Sequence, residues 1–285
     1  MNEMAEAITS TSVLQVSDLS VKLPTGKGSN MLNLVNDINF ELKAGQILGL
    51  VGESGSGKTV TCSTLLQLQD PSVVVSGSIK LNGRELNGLK EKAMQSIRGK
   101  DLGFIMQNPM NALTPVYTIG SQFVQTIRTH SNLTKRQAFD LAVDSLASVN
   151  LPDPQKLMGK YPFQLSGGML QRVMIAMAIS LKPSVVIADE PTTALDMINQ
   201  LQVLKQLEQL RANYGTAILL ITHDLSVIAE LADEVMVICK GNIVEKASVY
   251  QLFDQPRHTY TRKLLGTRLD NSRHQDYVED VIVNL

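Results

Sequence analysis

The stretch Gly52-Glu53-Ser54-Gly55-Ser56-Gly57-Lys58-Thr59 decides the fold. It fits G-x-x-x-x-G-K-[ST], follows the apolar run QILGLV ending at Val51, and leads into an apolar-periodic stretch. That is the strand–loop–helix setting in which such a sequence cradles a nucleotide's phosphates. Gly52, Gly55 and Gly57 permit backbone angles that a side chain would forbid, so successive N–H groups and the positive end of the following helix can point at one anion. Lys58 is expected to reach the outer phosphates and the Thr59 hydroxyl to ligate Mg2+.

Composition narrows the class. With 285 residues and 44% hydrophobic content the chain can bury a full core, as one large domain or a domain with a subdomain. A formal net charge of -1 carries no electrostatic footprint for nucleic acid. Cys62 and Cys239 lie far apart without a C-x-x-C partner and are read as buried apolar residues in a reducing compartment. No apolar run reaches the length of a membrane span, and MNEMAEAITS has no basic segment leading into an apolar one, so a cytosolic protein is expected.

The order of elements implies an α/β fold. VLQVSDLSVKL and LVNDINFELKAG alternate apolar and polar residues and read as antiparallel strands ahead of the phosphate loop. SGSIKLNGREL adds a strand, a turn at Asn82-Gly83 and a second strand. LGFIMQ reads as a buried strand ending at Gln107, after which the pattern turns helical to about Lys160, with Thr134 as a cap and Pro152 as a stop. PSVVIADEP and GTAILLITHD return as short buried strands separated by the helix INQLQVLKQLEQLRANYG, and EVMVICKGNIVEKA closes the core as a hairpin.

Two further stretches carry chemistry. The run Val185 to Glu190 ends a buried strand in two acids, and adjacent residues there point in different directions. Asp189 is assigned to the metal's coordination sphere and Glu190 to general base on the water attacking the γ-phosphate. In LSGGMLQRVMIAMAISLKP, Ser166-Gly167-Gly168 stands just before a strongly apolar helix, so its amides form a second helix N-terminus suited to a second anion.

Together these motifs resemble the ATP-binding subunit of an ABC transporter. GESGSGKT resembles the family's Walker A, VVIADE its Walker B, LSGGM its signature, Gln107 its Q-loop, ALD at Ala194 to Asp196 its D-loop, and His223 in ITHD its switch histidine. The match runs from about Val13 to about Leu265. It implies a P-loop NTPase (RecA-like) core with an antiparallel β subdomain, a nucleotide-binding domain over 13–265, a helical signature subdomain inserted at about 108–180, and a short tail at 266–285. It further implies a head-to-tail pair with ATP and Mg2+ between one subunit's Walker A, residues Gly52 to Thr59, and the other's Ser166, Gly167 and Gly168. Asp196 would lie at that interface, His223 would hold the γ-phosphate and attacking water, and Gln107 would sense Mg2+ and the membrane subunit. Implied partners are a second ATPase subunit of a different chain, two membrane permeases and an external solute-binding protein, with this chain peripheral on the cytoplasmic face of the cell membrane. At the position where the family stacks an aromatic ring on adenine stands Leu23, which gives apolar contact without stacking.

GESGSGKT, IMQNP, YPFQLSGGM, IADEPTTALD and HTYTRKLL, from His258, resemble the peptide and nickel importer group within that family. Leu170, where peptide importers usually carry arginine, VTCSTL, and a chain that ends soon after HTYTRKLL point to nickel or a metal chelate as cargo. The alternative is di- or oligopeptides, and a non-transport ABC ATPase ranks lower because no second ATPase half, coiled-coil insertion or basic arm is visible. The four histidines, His130, His223, His258 and His274, show no metal-ligand spacing. After Gln107, Pro109 and Pro115 set irregular backbone, and Met110, Leu113, Val116 and Tyr117 are expected to line a groove for a permease helix.

Overall fold

The computed structural model describes residues 12–25, 31–193 and 195–269. Among the described residues ten strands form two sheets: β1 (Ser12–Pro24), β2 (Met31–Lys43), β3 (Ile47–Val51), β4 (Val74–Leu81), β5 (Arg84–Glu85), β6 (Leu102–Ile105), β7 (Val185–Asp189), β8 (Ala217–Ile221), β9 (Glu234–Cys239) and β10 (Asn242–Ser248). One sheet is antiparallel in the order β2-β1-β4-β5; the other runs β10-β9-β3-β8-β7-β6. In the second sheet β9, β3, β8, β7 and β6 are parallel and only β10, at the edge, is antiparallel.

Strand periodicity divides the core in two. Val186 and Ala188 of β7 and Ile218 and Leu220 of β8 join the helices in one buried cluster. Their neighbours Val185, Ile187, Leu219 and Ile221 face the other way, into a second cluster with Leu14, Val16, Ile38 and Leu42 of the antiparallel sheet. Both faces of the parallel strands are thus covered, which is why these strands read as continuous apolar runs without alternation. Roughly 25 cal/mol per Å2 of buried apolar surface favours this arrangement over any that exposes one face.

The expected turn at Asn82-Gly83 joins β4 to β5, with φ of 49° and 77°. Two successive positive φ values are what a tight hairpin of this twist requires. Between β6 and β7 lie the helices Pro109–Ala112, Ile119–His130, Lys135–Ser148, Pro154–Leu157 and Gly167–Ile179. Thr134 caps its helix through Gln137 N–H, and the Gln137 side chain reaches back to the Thr134 N–H. The helix Met197–Tyr214 ends on Gly215 at φ 64°.

Three expectations need correction. β6 stops at Ile105, short of Gln107, and three residues on Asn108 accepts the Met110 N–H and caps a helix that begins at Pro109. Leu113 is buried in the core and lines no groove, whereas Met110, Val116 and Tyr117 are exposed. Cys62 is buried as expected but Cys239 is only half-buried, since it ends β9 where the chain turns. The tail from residue 270 and Ala194 of the ALD stretch lie outside the described residues. Among the described residues no helix is long and apolar enough to cross a membrane.

Candidate functional site

Adjacent parallel strands bring the sequence-predicted groups to one edge. The phosphate loop leaves the C-terminal end of β3, His223 follows β8 by two residues, Asp189 and Glu190 end β7, and Gln107 follows β6 by two residues. Since β3, β8, β7 and β6 are parallel and neighbours in that order, all four segments emerge side by side, where open α/β sheets bind ligands.

The loop is held from several sides. Gly57 sits at φ 113° as the residue before the helix Lys58–Leu65, a conformation open to glycine alone. The Gly241 N–H, from the turn between β9 and β10, donates to the Ser56 carbonyl at 2.8 Å, and the Asn36 N–H donates to the Gly241 carbonyl at 2.8 Å. A Cβ at Gly241, itself at φ 79°, would stand 2.6 Å from the Leu34 carbonyl oxygen. The buried Lys58 ammonium donates to the carbonyls of Gly52 at 2.7 Å and Glu53 at 3.0 Å. Glu53, Ser54, Gly55 and Thr59 are exposed, and the buried Ser56 hydroxyl finds no partner.

The acids face this lysine. Burial lowers the Lys58 pKa while the charges of Glu190 and Asp189 oppose the shift. Asp189 is pushed up to about 6 by burial first and by the Glu190 charge second, with Lys58 pulling the other way. Glu190 adopts φ 51°, rare for a residue with a side chain, and its N–H donates to the Ile221 carbonyl at 2.8 Å. Such strain concentrates at functional positions. Its carboxylate accepts from the Thr193 hydroxyl at 2.8 Å and lies 2.7 Å from Nδ1 of His223. A carboxylate can only accept, so Nδ1 carries the proton and Nε2 stays available.

Ser166, Gly167 and Gly168 lie apart from this edge, at the head of the helix Gly167–Ile179. The Ser166 hydroxyl accepts the Met169 N–H at 3.3 Å, and Ser166 and Gly167 are exposed. A Cβ on Gly168 would come within 2.8 Å of the Asn199 side chain. Asn199 in turn donates from its backbone and side-chain nitrogens to Asp196, holding that carboxyl below its ordinary range. Leu23 is half-buried on β1 beside Leu32 of β2.

Four groups escaped the sequence reading. Thr193 holds Glu190, Gly241 holds Ser56, and the Tyr260 hydroxyl accepts the Glu53 N–H at 3.0 Å. Gln171 donates from the signature helix to the Pro191 carbonyl at 2.8 Å, joining that helix to the residue after Glu190. Only Thr193, in DEPTT, stands close enough in sequence to its partner to have been found there.

The ABC transporter family matches residues 35–193. An oligopeptide transport ATP-binding protein, OppD of Salmonella typhimurium, is 42% identical over 261 residues, covering 91% of this chain and 77% of that one. The metal-staphylopine import system ATP-binding protein CntD of Staphylococcus aureus is 38% identical, covering 86% of this chain and 90% of that one. The ATP-binding cassette MJ0796, solved as a dimer in a post-hydrolysis state with ADP and Pi, aligns with a TM-score of 0.74 at 23% identity, over 83% of this chain and 98% of that one. The last likeness bears on the fold.

Proposed function

Since this chain belongs to the ABC transporter family, we propose that it is the ATP-hydrolysing subunit of an importer whose cargo is a di- or oligopeptide. The observation that carries the chemistry is the row of four segments at one parallel-sheet edge, with Lys58, Asp189, Glu190 and His223 electrostatically or hydrogen-bond linked.

The loop suits a nucleotide's phosphates: the Lys58 ammonium donates to the loop's own carbonyls, which it can exchange for phosphate oxygens, and among the described residues the buried Ser56 hydroxyl has no partner. Thr59, Asp189 and Gln107 supply the oxygen ligands that suit Mg2+. That ion would neutralise charge on the phosphates. Glu190 then takes a proton from water as its oxygen bonds to the γ-phosphorus and the bond to ADP breaks. Thr193 and Nδ1 of His223 donate to Glu190 and orient it, and Nε2, an acceptor while Nδ1 holds the ring's one proton, can donate to the transferred phosphate only once the ring is imidazolium. Ser166, Gly167 and Gly168 serve the site of a second ATPase subunit, of a different chain, with Asp196 at the contact. Two permeases and an external solute-binding protein complete the assembly at the cytoplasmic face of the cell membrane. The domain would extend over 13–265, with the helical insertion at about 108–180.

The peptide reading rests on relatives named for oligopeptide transport. A metal chelate is the second reading, favoured by the likeness to the metal-staphylopine import system ATP-binding protein. The case for nickel weakens at Leu170, which is 1% exposed: it fills the helical core and reports on packing, not on cargo. Uptake of labelled oligopeptide and of a labelled nickel chelate, in cells expressing the whole transporter with wild-type or Lys58→Ala subunit, tests this. Peptide uptake lost in the variant is expected; uptake of the chelate alone would overturn the peptide reading.

A further inference from the structure

We propose that Tyr260 is a positioning residue for ATP, its hydroxyl latching the C-terminal helix onto the phosphate loop and holding Lys58 in place through one peptide group. This role deepens the ATP-binding reading above and rests on it.

The hydroxyl oxygen of Tyr260 accepts the N–H of Glu53 at 3.0 Å, across 207 residues of sequence. That N–H belongs to the peptide unit joining Gly52 and Glu53. The carbonyl of the same unit, on Gly52, accepts the Lys58 ammonium at 2.7 Å. A peptide unit is planar, so fixing its N–H end fixes the direction of its carbonyl. Tyr260 thereby sets where Lys58 rests before a nucleotide arrives, while the Ser56 N–H of the same loop donates to the Glu53 carbonyl at 3.2 Å.

The tyrosine is itself moored. Thr259–Leu269 forms the final described helix, and within HTYTRKLL the residues Thr261 and Leu265, one turn apart, are buried. At the head of this helix the Arg257 and His258 N–H groups donate to the Glu245 carboxylate of β10 at 2.8 and 2.9 Å. His258 Nδ1 accepts the Tyr260 N–H at 3.2 Å. β10 pairs with β9, whose turn at Gly241 grips Ser56. The C-terminal helix and the β9–β10 hairpin therefore hold the loop at Glu53 and at Ser56, three residues apart. Burial raises the Tyr260 pKa, which keeps the hydroxyl neutral and able to accept this bond without placing a negative charge beside the loop.

Loosening the Gly52–Glu53 peptide makes ATP binding order a freer loop, and that ordering costs affinity. Tyr260→Phe keeps the ring and removes the hydroxyl. A net hydrogen bond corresponds to roughly a three- to tenfold change in an equilibrium constant. The expected result for the full-length chain is a rise of that size in the Kd for ATP, measured by calorimetry at a temperature where both chains are fully folded, with Tm lowered by no more than roughly 2–4 °C. In the assembled transporter KM for ATP rises by a like factor and kcat holds within about twofold. The donor can be removed separately, because proline has no N–H: in a Glu53→Pro background, adding Tyr260→Phe should change the Kd no further. Unchanged ATP affinity in Tyr260→Phe, or an equal loss in the Glu53→Pro background, would overturn the proposal. Lys58→Ala separates the two readings. If it abolishes ATP binding while Tyr260→Phe leaves it intact, the latch alone falls; if the wild-type chain binds no ATP, the functional reading falls with it.

Discussion

Two helices in this molecule begin at anion-suited ends, and they are built differently. The helix Lys58–Leu65 starts from a loop with no side-chain cap, clasped by Gly241, Tyr260 and its own lysine, and faces the acids of β7. The helix Gly167–Ile179 starts at an exposed serine and glycine, capped by Ser166 and backed by Asn199. The first end has a buried carboxylate, Glu190, hydrogen-bonded to His223; the nearest acid traced at the second, Asp196, is engaged by Asn199. One end, on the proposed function, would hold and cut a phosphate, while the other would only hold one. On the proposed function, two chains must combine unlike ends to make one complete site.

The sharpest way to break that contrast is at Glu190. With glutamine there, water meets no base, yet the loop and Lys58 remain. ATP hydrolysis by the assembled transporter should fall by about 10^2- to 10^4-fold while ATP affinity stays within a few fold. Equal losses in affinity and turnover would mean that Glu190 holds the nucleotide and the chemistry lies elsewhere.

The clasped end also stores an electrostatic cost that the exposed end lacks. Asp189 takes its proton at about 6 in the folded chain, against an ordinary 3.8, so between those values the folded chain binds a proton that the unfolded chain has lost. The stability this contributes is complete below the ordinary value and disappears as pH rises through about 6. Nucleotide-free wild-type chain should therefore gain Tm, relative to Asp189→Asn, when pH is lowered from 7 to 5. Parallel melting curves across that range would show that Asp189 is not buried against Glu190 as described.

Much of this was legible because the signals were local. Gly52 to Thr59, Asn82-Gly83 and Thr134 each contain within a few residues the chemistry that sets their backbone, and the structure follows them. β6 was read two residues too long because LGFIMQ is apolar up to its last residue, and nothing in that run marks the end of pairing at Ile105 before Asn108 caps the next helix. Tyr260 was invisible for the opposite reason: its partner is Glu53, and nothing in HTYTRKLL shows which loop the helix will meet. Gln171 likewise sits within a helix whose apolar run is conspicuous, while its bond to Pro191 exists only once β7 is in place. The cargo was least legible. On the proposed function it crosses between permeases, so no residue here is shaped to it, and Leu170 proves to be packing.

The smallest expected effect tests the exposed end. The Ser166 hydroxyl accepts the Met169 N–H, so part of its value is to the helix alone. Ser166→Ala should cost about 1 kcal/mol of stability, and Ser166→Gly only a few tenths, since glycine is nearly as good before a helix. For a chain of this length about 1 kcal/mol lowers Tm by roughly 2–4 °C. If the hydroxyl also meets the second subunit's nucleotide, the two variants should lose the same few fold in hydrolysis by the assembled transporter, despite their unequal stabilities, and neither should change ATP affinity of the single chain. Hydrolysis that instead tracked stability, with alanine worse than glycine, would reduce Ser166 to a helix cap. The two ends would then differ in more than completeness, because only the one at Lys58 would bind an anion.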